Sequence, residues 1–243
     1  TDGTIAISGF IENQIKNQYS ITPKYLKVIY RGINTKIFNS NNVNLERIEQ
    51  LKKQYYLGSD SIKILLPGRL TGWKGHSLLV QAVAEVIKSI QNKIEVLFVG
   101  PDDNLSLKKR LKDQIEDLNM NEIFHFIGSS DEMTNIYALS DIVISSSTDP
   151  EAFGRIAVEA QSMGKFVIAS NHGGSVETVI DNETGYLYSP HSHGELADRI
   201  IKSIEQYKYN SSNVSESGIK NVKENYTIEG MCKETLEFYK RII

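Results

Sequence analysis

Residues 151–159 read Glu151-Ala152-Phe153-Gly154-Arg155-Ile156-Ala157-Val158-Glu159, and they indicate both an architecture and a class of ligand. An apolar run, Asp141–Ser147, leads into this segment, and a helical pattern, Arg155–Met163, leads out of it. In an open parallel α/β sheet, ligands bind beyond the carboxyl ends of the strands. A glycine that opens the next helix lets backbone N–H groups approach an anion, and the helix dipole adds to the attraction. The segment is therefore suited to a phosphate flanked by hydroxyl groups, as in a nucleotide sugar.

Short apolar runs alternate with helical patterns from residue 62 onward. The predicted strands are Ile62–Pro67, Ile94–Gly100, Ile123–Ile127, Asp141–Ser147, Phe166–Ala169 and Gly185–Tyr188. The predicted helices between them are Ser77–Ser89, Leu105–Leu118, Glu132–Leu139, Arg155–Met163 and Val176–Ile180. Apolar strands that alternate with helices are typical of a parallel sheet covered on both faces. The predicted fold class is α/β, a Rossmann-like parallel sheet with helices on both faces.

The first part of the chain has a different organisation. The predicted elements there are a strand at Thr4–Ser8, a helix at Gly9–Tyr19, a strand at Leu26–Tyr30 and a charged helix at Leu45–Tyr55. Three predicted helices close the chain, Gly194–Tyr207, Val214–Glu224 and Ile228–Arg241. The opening elements look like the end of a preceding α/β domain, so we expect the chain to be part of a larger protein.

Composition narrows the functional class. The formal net charge of -3 argues against general nucleic-acid binding, which needs a basic excess. The single cysteine, Cys232, cannot form an intramolecular disulfide, which predicts a reducing, cytoplasmic environment. No apolar run approaches the ~18 residues that a membrane span needs.

A second informative segment, Pro67–His76, follows the predicted strand Ile62–Pro67. Arg69 and Lys74 lie on it, five positions apart. A guanidinium can bind two phosphate oxygens at once, and an ammonium acts as a compact point charge, so the two could bind a diphosphate. Taken alone, the loop could also be a strand-to-helix turn whose cations face solvent. The 151–159 segment in the same sheet favours the diphosphate.

Ordered motifs resemble one known family. They are Gly68-Arg69-Leu70 with Lys74-Gly75, the Gly100 turn, Phe126-Ile127-Gly128, the two glutamates of 151–159, Gly173-Gly174-Ser175-Val176-Glu177 and Asn182-Glu183-Thr184-Gly185. The chain resembles the retaining GT-B glycosyltransferases of the large group-1 (family 4) type, mostly their carboxyl-terminal donor-binding domain. Many of these enzymes build lipopolysaccharide or capsule in bacteria. The resemblance implies a remnant of the amino-terminal acceptor domain at 1–35, a linker and helix at 36–61, a nucleotide-sugar-binding domain at 62–226 and a cross-over helix at 227–243.

The resemblance also implies roles for individual residues. Arg69 and Lys74 match the diphosphate-binding pair of the family, and Glu151 matches the glutamate that contacts the hydroxyls of the donor sugar; these three are the catalytic candidates. Glu159 matches the glutamate that binds the ribose hydroxyls. The other substrate-binding candidates are the base-contacting backbone at Ile127 and Gly128, the turn at Phe153 and Gly154, and the following amides of Arg155 and Ile156. Gly173 and Gly174 match a family loop that we assign to packing.

Arg155 stands where many relatives have an aliphatic residue. Its side chain could reach the diphosphate as a third cation or pair with Asp149 on the surface. Trp73 could stack on a base, but next to Lys74 it is better explained by packing on the domain surface. Asp102 and Asp103 fit the start of a helix better than a metal site, and we expect no metal.

The predicted activity is transfer of a hexose from a UDP-, GDP- or ADP-sugar to a glycan or lipid-linked acceptor, with retention and without a metal or other cofactor. By resemblance, the transfer takes place on the front face of the sugar, and the leaving phosphate takes the proton of the acceptor. Binding of the acceptor, and any peripheral contact with the inner face of the plasma membrane, would be functions of the missing domain. The fragment alone is therefore expected to be inactive. The alternatives are a nucleotide-sugar epimerase of similar architecture and a noncatalytic nucleotide-binding module.

Overall fold

The computed structural model describes residues 3–19, 23–208 and 213–242. Its main sheet contains β3 (Ile62–Pro67), β4 (Ile94–Val99), β5 (Phe124–Gly128), β6 (Ile142–Ser145), β7 (Phe166–Ser170) and β8 (Tyr186–Tyr188). The strands lie in the order β5-β4-β3-β6-β7-β8, and every neighbouring pair is parallel. The helices of this part are α2 (Leu45–Gln54), α3 (His76–Ser89), α4 (Leu105–Asp117), α5 (Met133–Leu139), α6 (Arg155–Ser162), α7 (Ser175–Thr178), α8 (His193–Lys208) and α9 (Asn213–Asn225). The predicted α/β, Rossmann-like fold is confirmed.

The central strands are apolar on both faces apart from Lys63 and Glu95 near their starts, because helices cover both faces. All six residues of β3 and of β4 are buried. Alternate strand residues point to opposite faces, and accordingly Ile64 packs into one core cluster with α3, α4 and α8, whereas Leu65 packs into another with α2, α5 and α6. This two-sided burial explains why near-continuous apolar runs predicted the strands correctly.

A small amino-terminal unit precedes the main sheet. It consists of β1 (Gly3–Ala6), α1 (Gly9–Gln18) and β2 (Tyr25–Val28), with β1 and β2 paired in parallel. The last helix, α10 (Ile228–Ile242), returns to this unit: the buried Phe238 lies beside Gly3, and Lys27 forms an ion pair with Glu234 at 3.0 Å. These contacts agree with a cross-over helix, although the domain boundaries themselves stay a prediction.

The element boundaries differ from the predicted ones by a few residues at most. Two single turns of 3₁₀ helix, Ser40–Asn42 and Gly72–Lys74, were not predicted. The second lies inside the Pro67–His76 loop and ends at Lys74. Asn104, rather than Asp102 or Asp103, caps α4, and Asp102 forms an ion pair with Lys108.

Candidate functional site

The strand order changes direction between β3 and β6, so that the loops after these two strands leave the sheet side by side. Such a topological switch point is where open α/β sheets bind ligands. The loop after β3 contains Arg69 and Lys74, and the loop after β6 contains Glu151. The topology therefore brings the two predicted segments to one edge of the sheet.

Lys74 and Glu151 are in direct contact. The Lys74 ammonium donates to Glu151 Oε1, and the Ser147 hydroxyl donates to the same oxygen at 2.6 Å. Both charged side chains are largely buried, with exposed fractions of 15% and 16%. The Lys74 ammonium also lies 4.3 Å from the centroid of the Trp73 ring, so this cation already covers the aromatic face that could have stacked on a base.

Backbone contacts hold the Lys74 loop in place. The Thr148 N–H donates to the Trp73 carbonyl at 2.7 Å, and the Ser146 hydroxyl donates to the Lys74 carbonyl at 3.0 Å. Gly75 has a φ of +74°, and a Cβ there would lie 1.9 Å from the Ser146 carbonyl oxygen. Only glycine fits this close approach, which explains why a glycine follows Lys74 in the sequence motif.

The turn before α6 presents backbone amides. Gly154 has a φ of +90°, and a Cβ there would lie 2.9 Å from Thr178 Oγ1. Helix α6 begins immediately after it, and the first amides of a helix have no partner within the helix. Among the described residues, no hydrogen bond is donated by the amides of Arg155 or Ile156. These two N–H groups are available to an anion, and the helix dipole favours one.

The side chain of Phe153 does not face this turn. It is buried in a core cluster, with its ring centroid 6.3 Å from that of Tyr30 and 5.7 Å from that of Tyr226. Any contribution of Phe153 to a ligand is therefore limited to its backbone. The predicted packing role of Gly173 and Gly174 agrees with the structure, since the Gly174 N–H donates to the Glu151 carbonyl at 2.7 Å and a Cβ on Gly173 would lie 2.5 Å from the same oxygen.

Glu159 lies one turn into α6 and is largely buried. The Tyr137 hydroxyl donates to its Oε2 at 2.8 Å, and Arg155 Nε donates to its Oε1 at 2.6 Å. Burial raises the pKa of the Tyr137 phenol well above 10, and the Glu159 charge raises that pKa further. Arg155 thus pairs with Glu159 and not with Asp149, which was one of its two predicted partners; contact with a diphosphate stays a prediction.

A cleft of about 460 Å³ joins several of these groups, within the range usual for small-molecule sites. It is called the Arg69–Glu159 cleft below. Its lining residues are Phe38, Pro67, Gly68, Arg69, Val99, Gly100, Pro101, Ser129, Ser130, Met133, Tyr137, Arg155, Ile156 and Glu159.

The remaining candidates flank this cleft. Lys74 lies against Gly68, where an added Cβ would be 3.5 Å from Lys74 Cδ. The Gly128 carbonyl accepts from the Gly100 N–H at 2.9 Å, which places the Ile127-Gly128 end of β5 beside the cleft. Four of the predicted residues therefore line the cleft, Arg69, Arg155, Ile156 and Glu159. The other six do not line it: Lys74, Glu151, Phe153, Gly154, Ile127 and Gly128.

Another cleft, of about 410 Å³, lies at the opposite edge of the sheet, where the strands begin. Buried Glu95 there accepts from the Gly58 N–H at 3.0 Å and from Ser61, and lies 3.4 Å from His125. These contacts fix the loop before β3. Ligands of open α/β sheets bind at the carboxyl ends of the strands, so this cleft is the weaker candidate.

The described residues contain neither a candidate metal cluster nor a candidate membrane-spanning helix. Within residues 3–19, 23–208 and 213–242, no group of three or more His, Cys, Asp or Glu side chains could hold a metal ion. In the same part of the chain, no helix has the length and apolar character needed to cross a membrane.

Tyr137 and Ser147 were not predicted as site residues. Tyr137 belongs to the apolar face of α5, and its partner Glu159 is 22 positions away. Ser147 ends the strand pattern before the loop and carries no motif. The pairing of Arg155 with Glu159 could have been predicted, because residues four apart on a helix are neighbours.

Comparison with known proteins identifies relatives. The family model described as "Glycosyl transferases group 1" matches residues 47–221. The lipopolysaccharide 1,2-N-acetylglucosaminetransferase of Salmonella typhimurium is 31% identical over 163 residues, which are 64% of this chain and 42% of that protein. The chain spans about half the length of the curated relatives it matches.

Solved structures share the fold. A glycosyltransferase from Rickettsia africae superposes with a TM-score of 0.92 at 33% identity, covering 98% of this chain and 62% of that one. Anabaena HepE in complex with UDP and glucose superposes with a TM-score of 0.89 at 25% identity, covering 99% of this chain and 64% of that one.

Proposed function

Because this chain belongs to the group 1 glycosyl transferases, we propose that it is the donor-binding part of a retaining transferase that moves a hexose from a nucleoside-diphosphate sugar to a glycan or lipid-linked acceptor. One observation carries the proposal. Arg69, Lys74 and the free amides at the start of α6 lie around the same edge of the sheet as Glu151 and Glu159. Cations and amides suit a diphosphate, and carboxylates suit the hydroxyls on either side of it.

The chemistry requires stabilisation of the leaving group. When the bond between the sugar and the phosphate breaks, negative charge grows on the diphosphate. Fixed cations and helix-end amides stabilise such charge without reorganising, and removing one such donor typically costs about 3–4 kcal/mol. Arg69, Lys74 and the amides of Arg155 and Ile156 take this role, so no metal or other cofactor is required. The leaving phosphate then accepts the proton of the attacking acceptor hydroxyl.

Lys74 is held against Glu151 before the donor binds. Glu151 Oε1 is occupied by Lys74 and Ser147, which leaves Oε2 to accept from the donor sugar. We assign Glu151 to sugar binding and not to nucleophilic attack. Glu159 would bind the ribose, and the backbone of Ile127 and Gly128 would contact the base.

The complex of HepE with UDP supports UDP as the first donor nucleotide to test, with GDP and ADP after it. Similarity to the Salmonella lipopolysaccharide enzyme supports a role in lipopolysaccharide synthesis. Capsule synthesis as the alternative role, and the bacterial cytoplasm as the location, are further parts of the proposal. The amino-terminal domain of the complete protein would bind the acceptor and make any contact with the inner face of the plasma membrane. The chain alone would therefore transfer little or no sugar.

Two linked experiments test this function. A thermal-shift screen of UDP-, GDP- and ADP-sugars should raise the melting temperature for one nucleotide, because a ligand that binds only the folded state stabilises it. The complete protein, incubated with that labelled nucleotide sugar and a glycan acceptor, should yield a glycosylated product. An epimerised sugar would indicate an epimerase, and binding without any product would indicate a noncatalytic module; either result would overturn the proposal.

A further inference from the structure

The carboxylate of Glu159 has two oxygens with very different partners. Oε2 accepts from Tyr137, and Oε1 accepts from Arg155. The Glu159 side chain is only 10% exposed, so its orientation is set by these two contacts and by the surrounding packing.

The hydrogen bond from Tyr137 to Glu159 is expected to persist when a ligand binds. Tyr137 is completely buried on α5, and its hydroxyl is the donor to Glu159. Its raised pKa keeps that donor protonated. A buried carboxylate oxygen that lost such a donor would be left unpaired at a substantial free-energy cost, so this bond has no reason to open when a ligand binds.

The Arg155 contact is replaceable. Its side chain is 74% exposed, and it pairs with Glu159 across one turn of the same helix. Ion pairs four residues apart on a helix contribute little to stability when, as here, the cation is mostly exposed to solvent. Arg155 and Glu159 both line the Arg69–Glu159 cleft, so a ligand hydroxyl in the cleft can take the place of Arg155 at Oε1.

We propose that Tyr137 is a positioning residue: by holding Oε2 of Glu159, it aims Oε1 at the ribose and makes the site selective for nucleotides that carry ribose hydroxyls. This inference rests on the proposed function. A phenol serves better than a cation here, because a neutral donor leaves the negative charge of Glu159 available to strengthen the hydrogen bond from the ribose.

The test measures ribose selectivity. The binding of UDP, GDP and ADP, and of their 2′,3′-dideoxy forms, is compared by calorimetry in the native chain and in Tyr137→Phe. The native chain should prefer the ribose form of its nucleotide by about tenfold or more, the value of one or two charge-assisted hydrogen bonds. In Tyr137→Phe this preference should fall to about threefold or less, with the affinity for the dideoxy form unchanged.

Tyr186→Phe is the matched control. Tyr186 is also buried, and its hydroxyl donates to Gln206, away from the cleft. This variant loses a comparable hydroxyl and should keep the full ribose preference. A double-mutant cycle with Glu159→Gln provides a second measurement: once Tyr137 is replaced, removing the charge of Glu159 should change the preference no further.

The outcomes separate the two claims. Full ribose preference in Tyr137→Phe would overturn the role of Tyr137 and leave the proposed function intact. No preference in a native chain that binds a nucleotide would overturn both the role of Tyr137 and the assignment of Glu159 to the ribose, and would leave the proposed sugar transfer intact. Absence of binding for all three diphosphates to the native chain would overturn both.

Discussion

Glu177 binds the N-terminus of α1 in a different part of the fold: its Oε2 accepts from the Gly9 N–H at 2.8 Å, across 168 positions of sequence. Its other oxygen accepts from the Phe10 N–H at the same distance. The Ser8 hydroxyl, next to these amides, donates to the Ala152 carbonyl at 2.6 Å. The amino-terminal unit is thereby attached both to α7 and to the turn between Glu151 and Gly154.

Replacing Glu177 should loosen α1. Glu177→Ala leaves two helix-end amides without their acceptor, and we expect a loss of about 2–3 kcal/mol in the free energy of unfolding. Glu177→Gln keeps one acceptor oxygen and should cost about 1 kcal/mol. Urea unfolding measures the stability, and hydrogen exchange at the amides of Gly9 and Phe10 should accelerate in both variants.

Glu183→Gln is the control for this prediction, since Glu183 is an exposed carboxylate a few residues further along. It should leave both measurements unchanged. Unaltered exchange at Gly9 and Phe10 in Glu177→Ala would show that the contact does not hold α1.

Removing the cations of the loop after β3 should damage turnover more than ground-state affinity. In the complete enzyme, Arg69→Ala and Lys74→Ala should each lower kcat by about 10²–10³, because their charge is most valuable when the leaving diphosphate is fully charged. The dissociation constant of the donor should change far less. Lys88→Ala, at an exposed position near the end of α3, is the matched control. Normal turnover in Lys74→Ala would show that Lys74 does not stabilise the diphosphate.

Arg155→Ala should have a small effect on donor affinity. The Arg155 side chain is mostly exposed and pairs with Glu159, and such pairs are typically worth about 0.2–1 kcal/mol. We expect the dissociation constant of the donor to change by less than about fivefold at either low or high salt. A large loss of affinity at low salt that disappears at high salt would instead show that Arg155 contacts the phosphates.

His76 should make the stability of the chain depend on pH. Burial, with a smaller effect of the Lys74 charge, lowers the pKa of His76 from 6.5 to about 4. Below pH 6.5, His76 is protonated in the unfolded chain but stays neutral in the folded chain. The free energy of unfolding therefore falls as the pH falls towards 4. The loss should be about 2 kcal/mol by about pH 5.

The check is urea unfolding of the native chain and of His76→Asn near neutral pH and near pH 5. The variant has no imidazole to titrate, and its stability should fall by about 2 kcal/mol less over this interval. Parallel decreases in the two proteins would show that His76 is not the responsible group.

The elements of the main sheet could be predicted from sequence because their cause is local. β3 and β4 are buried at every position, so each is apolar except for one charged residue near its start, Lys63 or Glu95, and the loops after them contain the glycines that close backbone contacts demand. The meeting of Lys74 with Glu151 followed from topology, since parallel strands end at the same edge.

Contacts that depend on tertiary packing were not predictable. Tyr137 looks like any apolar position of α5, and its role arises only where α5 and α6 meet. Phe153 lies within the turn motif, yet its ring packs against Tyr30 and Tyr226 from distant parts of the chain. Nothing in the local pattern distinguishes a ring that lines a cleft from one that enters the core.

The most direct test of the central claim is a crystal structure of this chain with the nucleoside diphosphate that gives the largest thermal shift. We predict that the diphosphate lies between Arg69, Lys74 and the amides of Arg155 and Ile156, with the ribose on Glu159. A nucleotide bound elsewhere, for example at the edge where Glu95 lies, would contradict the account.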